Sequence, residues 1–89
     1  MDSYTTQNKE NVHLEKDQRL IIFLLTSSKV SYIGTKNVNG TILFKFSPKE
    51  AAKDEINIFY SGKCLVEAGK LLDASVRFKN ELFRAKYNY

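Results

Sequence analysis

The sequence predicts an α+β fold in which a β-hairpin is followed by two helices, and three local observations support it. Asn39 and Gly40 form a dipeptide that closes two-residue hairpin turns. Residues 47–50, Ser-Pro-Lys-Glu, have the order typical of a capped helix start. After Gly62, apolar residues recur every three or four positions almost to the C-terminus, as they do along one face of a helix.

The N-terminal segment, residues 1–16, is mostly polar or charged, with Tyr4, Val12 and Leu14 as its apolar anchors. So few apolar side chains bury too little surface to offset the entropy that is lost when a chain is ordered. We therefore expect a flexible polar arm over residues 1–16 and a single small domain over residues 17–89. His13 lies in this arm without a second histidine or a cysteine nearby, and we interpret it as an exposed side chain.

The apolar run at residues 20–25, Leu-Ile-Ile-Phe-Leu-Leu, fits a buried strand and a buried helix about equally well. Asp17 is suitable as the N-cap of a helix, and Thr-Ser-Ser at residues 26–28 is suitable as its end. The run is far too short to cross a bilayer as a helix. The residues alone leave helix and strand open.

A type I′ turn at Asn39-Gly40 fixes the register of the hairpin, because side chains alternate between two faces from the turn outward. One face is predicted to be the core and collects Ile33, Ile42, Phe44 and Phe46. The other face is half polar and collects Tyr32, Gly34, Lys36, Val38, Thr41, Leu43 and Lys45. This register pairs Ile33 with Phe46.

The helix after the hairpin is predicted to begin with Ser47 as its N-cap, Pro48 in the first helical position and Glu50 completing a capping box. Apolar residues follow at helical spacing: Ala52, Ile56, Phe59 and Tyr60. Gly62 is predicted to end this helix, because glycine tolerates the left-handed conformation found at helix ends.

The last helix is predicted over residues 64–86. Its weak point is Gly69, which costs about 1 kcal/mol relative to alanine and marks either a close crossing with another helix, our preferred interpretation, or a break. Such a helix is about 35 Å long, whereas a compact domain of this size is about 31 Å across, so its end is expected to protrude. Four side chains near that end would then lack an intramolecular partner: Phe78, Leu82, Phe83 and Tyr87.

Basic charge is concentrated in two segments of a chain whose net charge is +4. Residues 19–49 contain five basic residues and no acidic one, and residues 76–89 contain four basic residues and one acidic one. Basic side chains interleaved with aromatic ones favour contact with the phosphates of DNA or RNA. The predicted contact residues are Tyr32, Lys36, Lys45, Arg77, Lys79, Arg84 and Lys86. The ordinary alternative is that hairpin lysines discourage edge pairing and C-terminal cations complement a helix dipole.

Several function classes lack their motifs in this sequence. No Ser/His/Asp or Cys/His set, phosphate-binding glycine loop or metal-ligand cluster is present, so we expect no enzyme, no cofactor, no metal and no small-molecule substrate. The single cysteine, Cys64, has no internal disulfide partner, and we interpret it as a small buried hydrophobe. No signal peptide is visible, so we expect a cytoplasmic protein without membrane contact.

Several short motifs also follow one another in a familiar order. They are an apolar segment at residues 17–25, Tyr-Ile-Gly at 32–34, Val-Asn-Gly-Thr-Ile-Leu-Phe-Lys-Phe at 38–46, Phe-Tyr-Ser-Gly at 59–62, Leu-Val-Glu-Ala at 65–68 and Arg-Phe-Lys at 77–79. This order resembles a family of small phage and bacterial proteins, the DUF5659-type domain of unknown function, over roughly residues 17–86. That family often has glycine after its first helix, where this chain has Ser27 and Ser28. The resemblance implies the order α-β-β-α-α with a short N-terminal helix, and it implies no activity.

Two functions compete. The leading one is a small phage-type nucleic-acid-binding protein that contacts phosphates without reading sequence, because of the basic segments. The alternative is a protein-binding module, either a subunit of an assembly or an inhibitor of a host or defence complex, because of the apolar end of the last helix. Homodimerisation through that helix is compatible with both functions.

Overall fold

The fold is a three-stranded antiparallel sheet with three helices packed on one of its faces, and the computed structural model describes residues 11–87. The elements follow in the order β1 (His13–Glu15), α1 (Gln18–Thr26), β2 (Ser31–Val38), β3 (Thr41–Ser47), α2 (Lys49–Ser61) and α3 (Ala68–Tyr87). The predicted α+β class is confirmed. The predicted two-stranded sheet and the order α-β-β-α-α are wrong, because a third strand precedes α1.

Strand β1 lies within the segment for which the sequence predicts a flexible arm. It pairs with β3, with Leu14 opposite Lys45, so that β3 is the central strand of the order β1-β3-β2. The backbone carbonyl of Asn11 also accepts a 3.1 Å hydrogen bond from the N–H of Lys49. Backbone hydrogen bonds to an otherwise unpaired strand edge therefore order a segment with few apolar side chains. Residues 1–10 of the predicted arm lie outside the described residues.

The hairpin turn forms at the predicted dipeptide. Asn39 has a φ of 53° and Gly40 a φ of 88°, the positive values that a type I′ turn requires. Val38 lies opposite Thr41 as predicted.

A β-bulge shifts the register further from the turn. Gly34 has a φ of 126°, a conformation that L side chains rarely adopt, and the pairing is irregular between Tyr32 and Gly34. Beyond the bulge, Tyr32 lies opposite Phe46. The predicted pairing of Ile33 with Phe46 is therefore wrong: Ile33 is 47% exposed, and Tyr32 packs against the core.

Phe44 and Phe46 are fully buried at the centre of the core, as the sequence predicts. The rings of Phe44 and Phe78 lie 5.3 Å apart between centroids, which joins α3 to the sheet. The core cluster draws residues from all three helices and the sheet: Ile21, Leu24, Val30, Phe44, Phe46, Ala52 and Phe78.

The apolar run at residues 20–25 is helical, as the family resemblance implies. Asp17 is the N-cap, and its carboxylate accepts a 2.9 Å hydrogen bond from the N–H of Arg19. The Arg19 guanidinium bonds the same carboxylate and holds the pKa of Asp17 below its usual range. The buried side chains of α1 recur at helical spacing: Leu20, Ile21, Phe23 and Leu24.

Helix α2 starts differently from the prediction and ends as predicted. Ser47 remains the last residue of β3, and the N-cap is Pro48, which follows a cis peptide bond and has no side chain able to cap. The prediction of Ser47 as N-cap is therefore wrong. Gly62 ends the helix with a φ of 76°, and its N–H donates to the carbonyl of Phe59 at 3.3 Å.

Helix α3 begins at Ala68 and not at Cys64, so its 20 residues span about 30 Å. The prediction began too early because Leu65 continues the apolar spacing, although its side chain is 97% exposed. The predicted helix crossing at Gly69 is also wrong. A Cβ at Gly69 would have one neighbour within 4 Å, the carboxylate of Glu67 at 3.7 Å.

Candidate interaction surfaces

The residues predicted to contact nucleic acid lie in three separate places. Lys36 and Lys45 project from the sheet face opposite the core. Tyr32, Arg77 and Arg84 lie where β2 meets α3. The last two, Lys79 and Lys86, are exposed on α3. The fold therefore does not gather the predicted basic residues into one surface.

The group between β2 and α3 is occupied by internal contacts. The Tyr32 hydroxyl donates a 2.8 Å hydrogen bond to the carboxylate of Glu81. The same carboxylate forms an ion pair with the Arg84 guanidinium at 3.2 Å. The Arg77 guanidinium lies 5.2 Å from the centroid of the Tyr32 ring. Burial raises the pKa of Tyr32, and the hydrogen bond to Glu81 raises it further. These contacts hold α3 against the sheet, and they correct the prediction that Tyr32 shares a face with the lysines.

The outer sheet face is the side of the sheet away from the helices. Its outward positions are Leu14, Ser31, Gly34, Lys36, Val38, Thr41, Leu43, Lys45 and Ser47. These positions include two lysines and no acidic residue. The Lys45 stem passes over the bare backbone of Gly34, with its Cε atom 3.8 Å from where a Cβ would be. Within residues 11–87, no helix packs on this face.

Helix α3 has a second apolar side that faces away from the core. Four residues form it, and we call them the apolar stripe: Leu72, Val76, Phe83 and Tyr87. Their side chains are 67%, 57%, 66% and 69% exposed, respectively. At 100° per residue they fall within about 60° of one another around the helix axis. The rings of Phe83 and Tyr87 lie 4.6 Å apart between centroids, so the C-terminal end of the stripe is one aromatic pair.

Of the four residues predicted to form a protein interface, two pack in or against the core and two are exposed. Phe78 is buried in the core and Leu82 packs against it, so the prediction that these two lack an intramolecular partner is wrong. Phe83 and Tyr87 are exposed, as that prediction requires. Leu72 and Val76 were not among the predicted interface residues, since their three- and four-residue spacing equally fits a core-facing helix.

An apolar cleft of about 530 Å³ opens beside the N-terminal end of the apolar stripe. It is lined by Arg19, Ile22, Phe23, Phe59, Cys64, Val66, Leu71, Leu72 and Ser75. Leu72 belongs to both the cleft wall and the stripe, so the two surfaces are continuous. Cys64 is half-buried here as a free thiol.

Other features predicted from the sequence have plain structural outcomes. His13 was expected to be exposed but is half-buried, and its Nε2 lies 2.8 Å from the carboxylate of Glu15. Within residues 11–87, no group of three or more His, Cys, Asp or Glu side chains is placed to hold a metal ion. In the same part of the chain, no helix combines the length and the apolar character needed to span a membrane.

Comparisons of the chain with protein-family models, with curated proteins and with solved structures find no match. The resemblance to the DUF5659-type domain therefore stays a prediction.

Proposed function

We propose that this protein is a non-enzymatic protein-binding module that docks another protein chain on the apolar stripe of α3. One observation carries the proposal: four large apolar side chains are more than half exposed on the side of α3 away from the core. Single exposed apolar residues are ordinary on protein surfaces, whereas several on one side of a helix are typical of an interaction site. Here Leu72 with Val76 and Phe83 with Tyr87 form two apolar pairs on one side of α3, with the exposed Lys79 between them.

The energetics of burial favour this surface over the basic one. Fully burying an exposed phenylalanine side chain is favourable by roughly 1.5–3 kcal/mol of transfer free energy, and Phe83 still has 66% of its side chain to bury. By contrast, the outer sheet face offers two cations, Lys36 and Lys45, and their attraction to a partner is screened by salt. Of the predicted cations, Arg77 and Arg84 already have partners inside the protein.

Co-purification from the cells that naturally contain the protein tests this proposal, with and without nuclease. We expect a protein partner that survives nuclease treatment, is lost with Phe83→Asp and is retained with Asn57→Asp. The control adds the same charge at an exposed position of α2. Partner binding that disappears with nuclease, or that survives Phe83→Asp, would contradict the proposal.

Nucleic-acid binding is the second candidate, and the outer sheet face supports it. Lys36 and Lys45 are diagonal neighbours there, since Lys36 lies opposite Leu43 and Lys45 lies opposite Gly34. Among the outward positions of the three strands no carboxylate opposes them. Such a face attracts the phosphates of DNA or RNA without reading sequence.

The salt dependence of binding tests this second candidate. Each phosphate contact contributes about −0.9 to the slope of log affinity against log salt on duplex DNA. The double charge reversal Lys36→Glu with Lys45→Glu is expected to flatten the slope by about two units. The matched double change Lys53→Glu with Lys63→Glu, at exposed positions elsewhere, is expected to change it less. An unchanged slope after the first double reversal would exclude the outer sheet face as the site.

The absence of catalytic activity and the cytoplasmic location that the sequence predicts both stay predictions.

A further inference from the structure

We propose that the chain docked on the apolar stripe is a second copy of this protein, with the two α3 helices paired antiparallel across a two-fold axis. This inference rests on the proposed function and names its partner. Three features support it: the spacing of the stripe, the charges on one of its flanks, and the cleft at one end.

The apolar stripe has the spacing of a self-complementary surface. Its four positions are symmetric about a point between residues 79 and 80. In the antiparallel register centred there, Leu72 lies opposite Tyr87 of the second copy, and Val76 lies opposite Phe83. Each apolar side chain then meets another apolar side chain, and each contact occurs twice, as a two-fold interface requires.

The charges beside the stripe fit the same register. In a two-fold antiparallel pair, each flank of a helix faces the same flank of its partner. At 100° per residue, Asp73 and Arg84 lie on the same flank of the stripe, near its opposite ends. The Arg84 guanidinium pairs with Glu81 of its own helix at 3.2 Å, but its side chain remains 65% exposed and so is open to a second carboxylate. Asp73 of one copy therefore lies close to Arg84 of the other, within about one helical turn along the axis, which gives two oppositely charged pairs per dimer.

The apolar cleft makes one end of the stripe concave, and this end meets the aromatic end of the second copy. Leu72, at the N-terminal end, forms part of the cleft wall. The antiparallel register brings the Phe83–Tyr87 aromatic pair of the second copy against this residue. An aromatic end thus meets an apolar concave end, and the two-fold axis repeats the match.

One side chain opposes the pairing. Lys79 is exposed and lies close to the two-fold axis, so the two copies bring like charges together. Its long stem allows the ammonium group to extend toward water, but some repulsion remains. We therefore expect Lys79→Gln to strengthen the dimer, an effect that a variant with disturbed folding would not produce.

Sedimentation velocity of the purified full-length chain over a concentration series tests the pairing. We expect a concentration-dependent species at twice the 10.2 kDa mass of the chain. Phe83→Asp is expected to raise the dissociation constant at least about tenfold, because it places a charge in an apolar contact. Asn57→Asp is the matched control and is expected to dimerise as the wild type does.

Charge exchange tests the antiparallel register. Asp73→Arg and Arg84→Asp, each alone, are expected to weaken the dimer roughly five- to tenfold, since both symmetry-related pairs then become repulsive. An equimolar mixture of the two variants is expected to form a heterodimer at the concentrations at which the wild type dimerises. The reason is that every facing pair is again of opposite charge. A dimer that forms without this rescue would overturn the register.

A wild-type chain that remains monomeric throughout the series would overturn the self-association. That result would leave the proposed function standing if a nuclease-resistant partner is still lost with Phe83→Asp. If Phe83→Asp retains both the dimer and the partner, the self-association and the proposed function are both overturned.

Discussion

At the scale of single residues, the aromatic side chains of the sheet decide how the core is built. The Tyr32 ring lies 5.7 Å from the Phe44 ring and 5.8 Å from the Phe46 ring, and Phe44 in turn contacts Phe78. Phe44 and Phe46 are fully buried. The stability of the fold is therefore expected to depend strongly on these rings.

Truncation of Phe44 measures that dependence. Phe44→Ala is expected to lower the free energy of unfolding by roughly 3–5 kcal/mol, because it removes a buried ring and leaves a cavity. Leu43→Ala, at the neighbouring half-buried position on the outer sheet face, is expected to cost much less. Urea midpoints for the two variants provide the comparison. A negligible loss for Phe44→Ala would contradict the observed register.

The hydroxyl of Tyr32 gives the stability a pH dependence in alkaline solution. Its pKa is raised in the folded protein, first by burial and then by the hydrogen bond to Glu81. A raised pKa means that the folded state holds the proton more tightly than the unfolded state. This contribution to stability is fully present below the ordinary tyrosine pKa of about 10, and it is lost as the pH rises through the folded-state pKa.

Urea unfolding between pH 8 and about pH 11 checks this effect. The free energy of unfolding of the wild type is expected to fall more steeply above about pH 10 than that of Tyr32→Phe, which has no proton to lose at this site. Tyr60→Phe, at a side chain that is 62% exposed, is the matched control and should follow the wild type. Equal slopes for the wild type and Tyr32→Phe would argue against the buried hydroxyl.

The strand register was predictable from the turn as far as Gly34 and not beyond it. The Asn39-Gly40 turn and the pairing from Val38 to Gly34 are predictable, because turn chemistry and strand alternation fix them. A glycine inside a strand is a known signal for a bulge. A bulge placed at Gly34 from the sequence moves Tyr32 to the core face and separates it from Lys36 and Lys45.

At the scale of elements, the glycine that ends α2 and the glycine in the first turn of α3 are needed to different degrees. Gly62 ends α2 with a φ of 76°, which costs an L side chain roughly 1–2 kcal/mol. Gly69 lies in the first turn of α3 and has one ordinary contact at its Cβ position. The first glycine is therefore required by the backbone, and the second is not.

Alanine substitutions at these glycines are expected to change stability in opposite directions. Gly62→Ala should lower the free energy of unfolding by about 1 kcal/mol, and Gly69→Ala should raise it by up to about 1 kcal/mol through helix propensity. Thermal or urea midpoints measure both. A loss of stability with Gly69→Ala would indicate a close packing contact at this glycine.

Elements that depend on distant partners were harder to predict than those with local signals. Gly62 ends α2 as its local signal predicts, and Asp17 is the N-cap that the sequence offers if residues 20–25 are helical. The local signal at Ser47 was wrong, because this residue is held in β3. Strand β1 exists because the edge of β3 accepts it, and no local pattern in residues 13–15 shows this. The spacing of α3 supports two apolar faces, and which of them meets the sheet is decided by the packing of Phe78 on Phe44.

At the scale of the whole molecule, the fold separates two exposed surfaces. The outer sheet face carries Lys36 and Lys45, and the apolar stripe lies along α3, whose other side packs on the opposite face of the sheet. A partner on α3 therefore leaves the outer sheet face uncovered. The basic residues were predictable from composition, but their separation into distinct groups depends on the tertiary fold.

Crosslinking at Phe83 tests the central claim most directly. A photo-crosslinking residue is placed at position 83 of the full-length chain, and at the exposed position 57 as a control, in the cells that naturally contain the protein. We expect nuclease-resistant protein adducts at position 83, including the chain itself if the self-association is correct, and few or none at position 57. Adducts with nucleic acid alone, or equal labelling at both positions, would contradict the claim that the apolar stripe of α3 is a protein-binding surface.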